Sequence, residues 1–336
     1  MNTRTMLLLQ STVAVVLAFG PIVVGQRAQL FPVPIYPPDG QIPAVHDKQY
    51  VFLDAATRDL VVSYPSSLEG GSAGEPESRK LLKIELATHV APDVAVSVSR
   101  SSAGGYIYRY LIRNRQVARQ EITRWYLSIP KPNAPNYPAK ASELPFPRDL
   151  SGQWDFRHFG HAPGQWAARW ERKPGTGPLR PGGESLEFGV ESDLKPGFTT
   201  AFFQGPSADL AVPPGLPKEV LEQLSRFQQL RYNSHPLLTI GPMFRSQTPP
   251  VAIAGELHVG VSRFVRSGRL NGASPYIMEL LSALQQYIDQ AVSRAEKLEE
   301  GQPLEPVPMP SLRSKPSSPE ETEINNMFRL ALDWEG

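Results

Sequence analysis

The sequence predicts a mainly β protein with a helical C-terminal part: an antiparallel β-sandwich followed by helices. Three observations predict it. About seven short runs between residues 81 and 205 alternate apolar and polar side chains, the period of half-buried strands. Beyond Gly205 the apolar spacing changes to steps of three and four, the period of an amphipathic helix. The 336 residues include 35 prolines and 26 glycines, well above average usage, which punctuates the chain into short elements.

Taken in chain order, residues 1–25 read as a signal peptide. Arg4 gives a positive start, an apolar run leads from Met6 to Gly20, Pro21 breaks it, and Val23-Val24-Gly25 supplies small residues before Gln26. The expected location is secreted or periplasmic. The alternative is an N-terminal membrane anchor, since Met6 to Gly25 is just long enough to span a bilayer. No span is expected after cleavage.

Residues 26–80 read as a Pro-rich arm, a small hairpin (Gln49–Leu53 and Leu60–Tyr64) and a Gly/Ser/Glu linker. The sandwich follows at 81–205. Leu82, Ile84 and Leu86 alternate, then Val94, Val96 and Val98. Tyr106, Tyr108 and Tyr110 share one face of the next run, and Trp125 and Leu127 share a face of the one after. Trp166, Ala168 and Trp170 lie on one strand face, as do Leu186, Phe188 and Val190, and Phe198–Phe203 reads as the last strand.

Residues 206–300 read as a helical region with stripes Val220, Leu221, Leu224, Phe227, Leu230 and Ile277, Leu280, Leu281, Leu284, Ile288, Ala291. Within it 237–270 is ambiguous, because Leu257, Val259 and Val261 alternate like a strand while Phe264-Val265 suits a helix. The stripe of the 275–298 helix is wider than a coiled-coil seam, which favours packing within the chain. Residues 301–318 form a Pro-rich linker. Residues 319–336 form an amphipathic helix with a capping box at Ser318-Pro319-Glu320-Glu321 and an apolar side of Ile324, Met327, Phe328, Ala331 and Trp334.

Composition excludes several chemistries. There is no cysteine, hence no disulfide, thiolate zinc site, iron–sulfur cluster or thiol catalysis. With 34 basic and 33 acidic side chains there is no electrostatic case for nucleic acid. A cysteine-free exported chain of this size points to a bacterial origin. Gly70-Gly71-Ser72-Ala73-Gly74 matches a nucleophile-elbow pattern but lacks the flanking strand and helix that strain the serine. His158 and His161 are the only candidate metal pair, and zinc needs at least one more ligand. No cofactor is implied.

Trp154, Phe156, Phe159, Trp166 and Trp170 crowd into 17 residues. On one reading they are sandwich core. On the other, Trp154 and Phe159, in the turn-rich part, form a stacking platform for a glycan. The expectation is a non-enzymatic binding or envelope-assembly protein, whose partner is a cell-envelope protein or a glycan. The alternative is a secreted glycan-acting hydrolase with a carboxylate pair, drawn from residues such as Glu171, Glu187 and Asp193, near those aromatics.

The run Tyr106-Ile107-Tyr108-Arg109-Tyr110-Leu111-Ile112-Arg113-Asn114, the Pro-Gly turns at Pro181-Gly182 and Pro196-Gly197, and Thr239-Ile240-Gly241-Pro242 resemble uncharacterised exported bacterial proteins carrying one Ig-like β-sandwich. This chain departs from their pattern by the extra Gly183-Glu184 and by Phe188-Gly189 in reversed order. The resemblance covers about 105–242 and implies the Ig-like fold. It implies no activity, so no catalytic residue is carried over.

Overall fold

The computed structural model describes residues 34–42, 48–69, 78–130, 148–162, 165–206, 215–226, 234–297 and 307–334. The expected signal peptide, the Gly70–Gly74 segment and most of the Pro/Ala insertion after Pro130 lie outside these residues. The described chain is mainly antiparallel β, with its helices in the C-terminal part, as the sequence predicts.

Strands β1 (Val51–Leu53), β2 (Leu60–Pro65) and β3 (Arg79–Ile84) form a three-stranded antiparallel sheet. The hairpin is as expected, but β3 is not the first strand of the larger β region. Its Leu82 pairs with Val62 instead. Helix α1 (Lys218–Arg226) closes over this sheet, and Val220 and Leu224 join Val51, Leu60, Val62 and Ile84 in a small core of their own. Leu221 stays exposed, and Phe227 and Leu230 of the expected stripe lie outside the described residues. The arm reaches this sheet too: Leu53 N donates to Pro34 O at 2.8 Å and Tyr36 N to Leu53 O at 2.9 Å.

A buried carboxylate ties the small sheet to the rest. Asp59 is 3% exposed and accepts from both terminal nitrogens of Arg119, the closer at 3.0 Å, with His89 Nδ1 at 3.2 Å. A charge this deep is tolerable only with such partners.

The other strands form two sheets. One runs β4 (Pro92–Arg100), β5 (Tyr106–Asn114), β10 (Leu186–Ser192) and β7 (Arg148–Asp149) in spatial order. The other runs β12 (His235–Phe244), β11 (Lys195–Gln204), β6 (Arg124–Pro130), β9 (Gln165–Glu171) and β8 (Asp155–Ala162). All pairings are antiparallel. Strand β12 lies in the region read as helical from sequence, and it contains the Thr239–Pro242 element. Its alternation is hard to read because Gly241 and Pro242 occupy two positions of the strand.

The two sheets share one core, with Trp125 at its centre. Its ring stacks on Trp170 at 4.1 Å and meets Tyr110, Phe188 and Phe203 at 5.3–6.0 Å. The expected inward tyrosine face is present: Tyr106, Tyr108 and Tyr110 are all buried. Trp166 differs from expectation. It shares the face of Trp170 but sits at the strand end and is only half-buried.

Helices α2 (Pro250–Arg266), α3 (Pro275–Lys297) and α4 (Pro319–Leu332) complete the larger core. The ambiguous 250–266 stretch is helical. Leu257 and Val261, one turn apart, are buried while Val259 is exposed, the mark of a 3.6-residue period. Ile277, Leu280, Leu284 and Ala291 of α3 are buried within the chain. Ser318 caps α4 by accepting from Glu321 N at 3.2 Å, and Ile324, Met327, Phe328 and Ala331 form its buried stripe.

Helix α2 lies so close to β11 that mid-helix Gly260 is a steric requirement. A Cβ built there falls 1.8 Å from Phe198 Cδ2. Gly260→Ala should therefore destabilise the protein by about 1–3 kcal/mol, although alanine is the better helix former. Chemical denaturation checks this, and adding Phe198→Ala should remove most of the penalty that is specific to Gly260→Ala.

The core tyrosines give a paired test. Tyr108 Oη donates to Leu194 O at 2.6 Å, whereas Tyr110 Oη has no hydrogen-bond partner among the described residues. Tyr108→Phe should cost about 0.5–1.5 kcal/mol, and Tyr110→Phe should be neutral or stabilising. Equal losses in urea unfolding would contradict this assignment.

Candidate functional site

The aromatic crowd singled out by the sequence is core. Trp154 is 1% exposed and lies edge-on to Phe188 at 5.2 Å, so it presents no face to a sugar. This corrects the stacking-platform reading for Trp154: its position just before β8 turns it under the four-stranded sheet. Phe156 fills the space between Trp170 and His158, its ring 4.8 Å from each. Phe159 and His161 lie on the β8 backbone, but their side chains lie outside those described. His158 is half-buried against Phe156. Among the described residues no three His, Asp or Glu side chains stand close enough to hold a metal.

The carboxylates around these aromatics are engaged in structural bonds. Glu171 pairs with Arg124 and with Arg169, the latter at 3.3 Å. Glu187 pairs with Arg109 at 2.7 Å on the outer sheet face. Asp149, which the sequence did not mark, accepts from Trp170 Nε1 at 3.0 Å, Ser151 Oγ at 2.7 Å and Gly152 N at 2.9 Å. It fixes the turn before β8 and satisfies a buried indole.

The groove with convergent polar groups lies elsewhere, between the C-terminal half of β4 and the C-terminal half of α4. Strand and helix run side by side in the same direction. Glu323 Oε1 accepts from Val96 N at 2.9 Å near one end, and Asp333 pairs with Arg100 at the other. Between them opens a groove of about 330 Å³, lined by Val98, Ser99, Arg100, Asn326, Arg329 and Trp334. That volume is within the range of small-ligand sites.

Each lining group has a local cause. Asp333 ends α4 in the left-handed conformation (φ 50°), which turns its carboxylate back toward the sheets. There it meets Arg100 and Lys195. Partial burial works against its charge, but the bonds from Lys195 and Arg100 prevail and hold its pKa below the usual 3.8. Arg100 is further steadied over the Tyr106 ring at 5.5 Å. Arg329 is exposed, and among the described residues no carboxylate meets its guanidinium. Trp334 is half-buried beyond the helix end. The groove thus offers a free guanidinium, an amide, a hydroxyl and an indole. Groups of this kind suit an anionic ligand.

A second hollow of about 540 Å³ lies on the helical side, by His258, Leu281, Gln285 and Asp289. Two of its polar groups bond each other, Gln285 Nε2 donating to Asp289 Oδ1 at 2.8 Å, and among its lining residues none is basic apart from His258.

Sequence reasoning missed the groove because Arg100 and Arg329 are far apart in the chain, and Trp334 was read as part of an apolar helix face. No protein-family model matches the chain, nor does any curated protein or solved structure.

The upstream end of the groove carries a pH signature. Burial raises the Glu323 pKa from 4.5 to about 7, with Glu320 and Asp93 adding to it, while the Val96 N–H and Arg269 oppose it. Folding then takes up a proton between pH 4.5 and 7. The cost of ionising Glu323 is absent below pH 4.5 and complete above 7. Glu323→Gln keeps an acceptor for Val96 N without the charge. It should exceed the parent in stability by roughly 1–3 kcal/mol at pH 8, and the gain should vanish near pH 4.5. Melting curves across this range measure it.

Proposed function

We propose that this is an exported, non-catalytic binding protein of the cell envelope, built on an Ig-like β-sandwich, and that the β4–α4 groove is its recognition site. The observation that carries the reading is the exposed Arg329 guanidinium facing a groove shared with Arg100, Asn326 and Trp334. An unpaired cation beside an indole and an amide suits a negatively charged ligand.

The spatial orders β4-β5-β10 and β12-β11-β6 support the Ig-like assignment, being the A-B-E and G-F-C orders of such domains. In antibody domains a strand-C tryptophan packs against a disulfide joining strands B and F. Here Trp125 on β6 packs between Tyr110 of β5 and Phe203 of β11, so two rings stand where a cysteine-free chain has no disulfide. The tyrosine-strand resemblance and the N-terminal pattern of Arg4, apolar run and Val23-Val24-Gly25 support export. No helix of the described residues is long and apolar enough to cross a membrane.

Poly-glutamate and oligogalacturonate serve as anionic probes. Either should change the tryptophan fluorescence at millimolar concentration or below, since half-buried Trp334 lines the groove, whereas Trp125, Trp154 and Trp170 are enclosed and half-buried Trp166 is not among the lining residues; the change should be lost in Trp334→Phe and kept in Trp166→Phe. Arg329→Gln should weaken the response about tenfold without lowering the melting temperature, and mass spectrometry should return both probes unchanged. Cleavage of a probe, or an undiminished response in Arg329→Gln, refutes the reading.

A further inference from the structure

The groove is bounded on one side by the edge of a sheet, and this decides what fits it. Among the described residues strand β4 pairs only with β5, so alternate backbone groups point away from the ladder. Two of these are already taken. Val94 O accepts from Arg269 Nη2 at 3.0 Å, and Val96 N donates to Glu323 Oε1 at 2.9 Å. The same arginine reaches Leu238 O on β12, the edge of the other sheet. One guanidinium and one carboxylate thus each take one backbone group in the first half of the β4 edge and draw Arg269 and α4 against it.

The second half is open. By the same alternation Val98 directs its N–H and C=O outward, and no hydrogen bond reaches them among the described residues. Val98 as a whole is 9% exposed and its side chain belongs to the core cluster, so the little that Val98 presents to the groove is backbone. The opposite wall is helical, with Arg329 and Asn326 exposed and Leu330 and Trp334 half-buried. An edge strand beside a helix, with spare backbone groups between them, is the geometry of strand addition. Among the described residues Arg329, Arg100 and Lys195 outnumber the Asp333 carboxylate at this end, so the charge favours an acidic occupant.

We propose that the groove receives an extended acidic peptide segment, which adds to the edge of β4 at Val98. The occupant's C=O accepts from Val98 N, and its N–H donates to Val98 O. Its carboxylates meet Arg329 and Arg100, and its intervening apolar side chains cover Leu330 and Trp334. This rests on the groove being the recognition site and adds the kind of ligand and its mode of binding. A saccharide could use the arginines and the indole but not the paired backbone groups of a strand.

The test uses the full chain labelled with ¹⁵N-valine and a capped five-residue peptide alternating valine and glutamate. The Val98 amide should shift in the NMR spectrum and exchange with solvent more slowly on titration. The same peptide with lysine for glutamate should leave it unmoved. Methylating the central peptide nitrogen should weaken binding about tenfold, because the donor to Val98 O is gone. Arg329→Gln should weaken the unmethylated peptide similarly. Equal binding of methylated and unmethylated peptide overturns strand addition, and persistent dependence on Arg329 would then leave the anion site standing. Response to oligogalacturonate alone overturns the peptide and retains the groove. No response to any probe overturns both.

Discussion

The packing of Trp125 against rings from four other strands is the constraint on which the rest of the structure depends. It stands on β6 and touches Tyr110 of β5, Trp170 of β9, Phe188 of β10 and Phe203 of β11. Strands of both sheets are thereby held to a single spacing without a cross-link. Aromatic side chains bury large areas and gain further from stacked and edge-on geometry. A chain with no cysteine obtains from rings the registry that disulfide-bonded domains obtain from a cross-link. The same packing explains why Trp154 and Trp170 are not available to a ligand: they are spent in holding the sheets together.

A core with two open sheets leaves strand edges, and unpaired edges invite association. Here the helical C-terminal part manages them. Helix α2 packs on the face of β11, beside the edge strand β12, through the contact of Gly260 with Phe198. Arg269, just beyond it, bonds carbonyls of both edge strands, β4 and β12. Helix α4 continues the cover with Glu323 and meets Arg100 through Asp333. The groove lies between these two contacts, where α4 runs beside Val98 without bonding its backbone among the described residues. A protected stretch and an open one are therefore neighbours on one strand.

Charged groups elsewhere serve connection. Asp59 joins the small sheet to Arg119 and His89, and Asp149 anchors the turn beneath Trp170. A carboxylate as buried as Asp59 is worth keeping only when fully bonded, since removing one partner leaves an isolated charge. Near the aromatic cluster Glu171 is held by arginines of its own sheet, and Asp149 by Trp170 of the facing sheet and by the turn that follows it.

The sequence by itself determined the local periods and therefore most elements. The alternation at Val94–Val98 and Tyr106–Tyr110, the helical stripe at Ile277–Leu284 and the capped Ser318–Pro319 start are each visible because backbone geometry imposes them residue by residue. It also determined that Tyr106, Tyr108 and Tyr110 share one face. Tertiary structure decided the partnership of those elements. The alternation of Leu82 and Ile84 is the same whether β3 joins the large sheet or the small one. The strand at His235–Phe244 was hidden by its own Gly241 and Pro242, and needed β11 beside it to be recognised. The groove was decided wholly in three dimensions, because Arg100 and Arg329 meet only when α4 returns to the edge of β4. Whether Trp154 or Trp334 faces a ligand likewise depends on which ring finds space in the core, a competition for volume that no local pattern records.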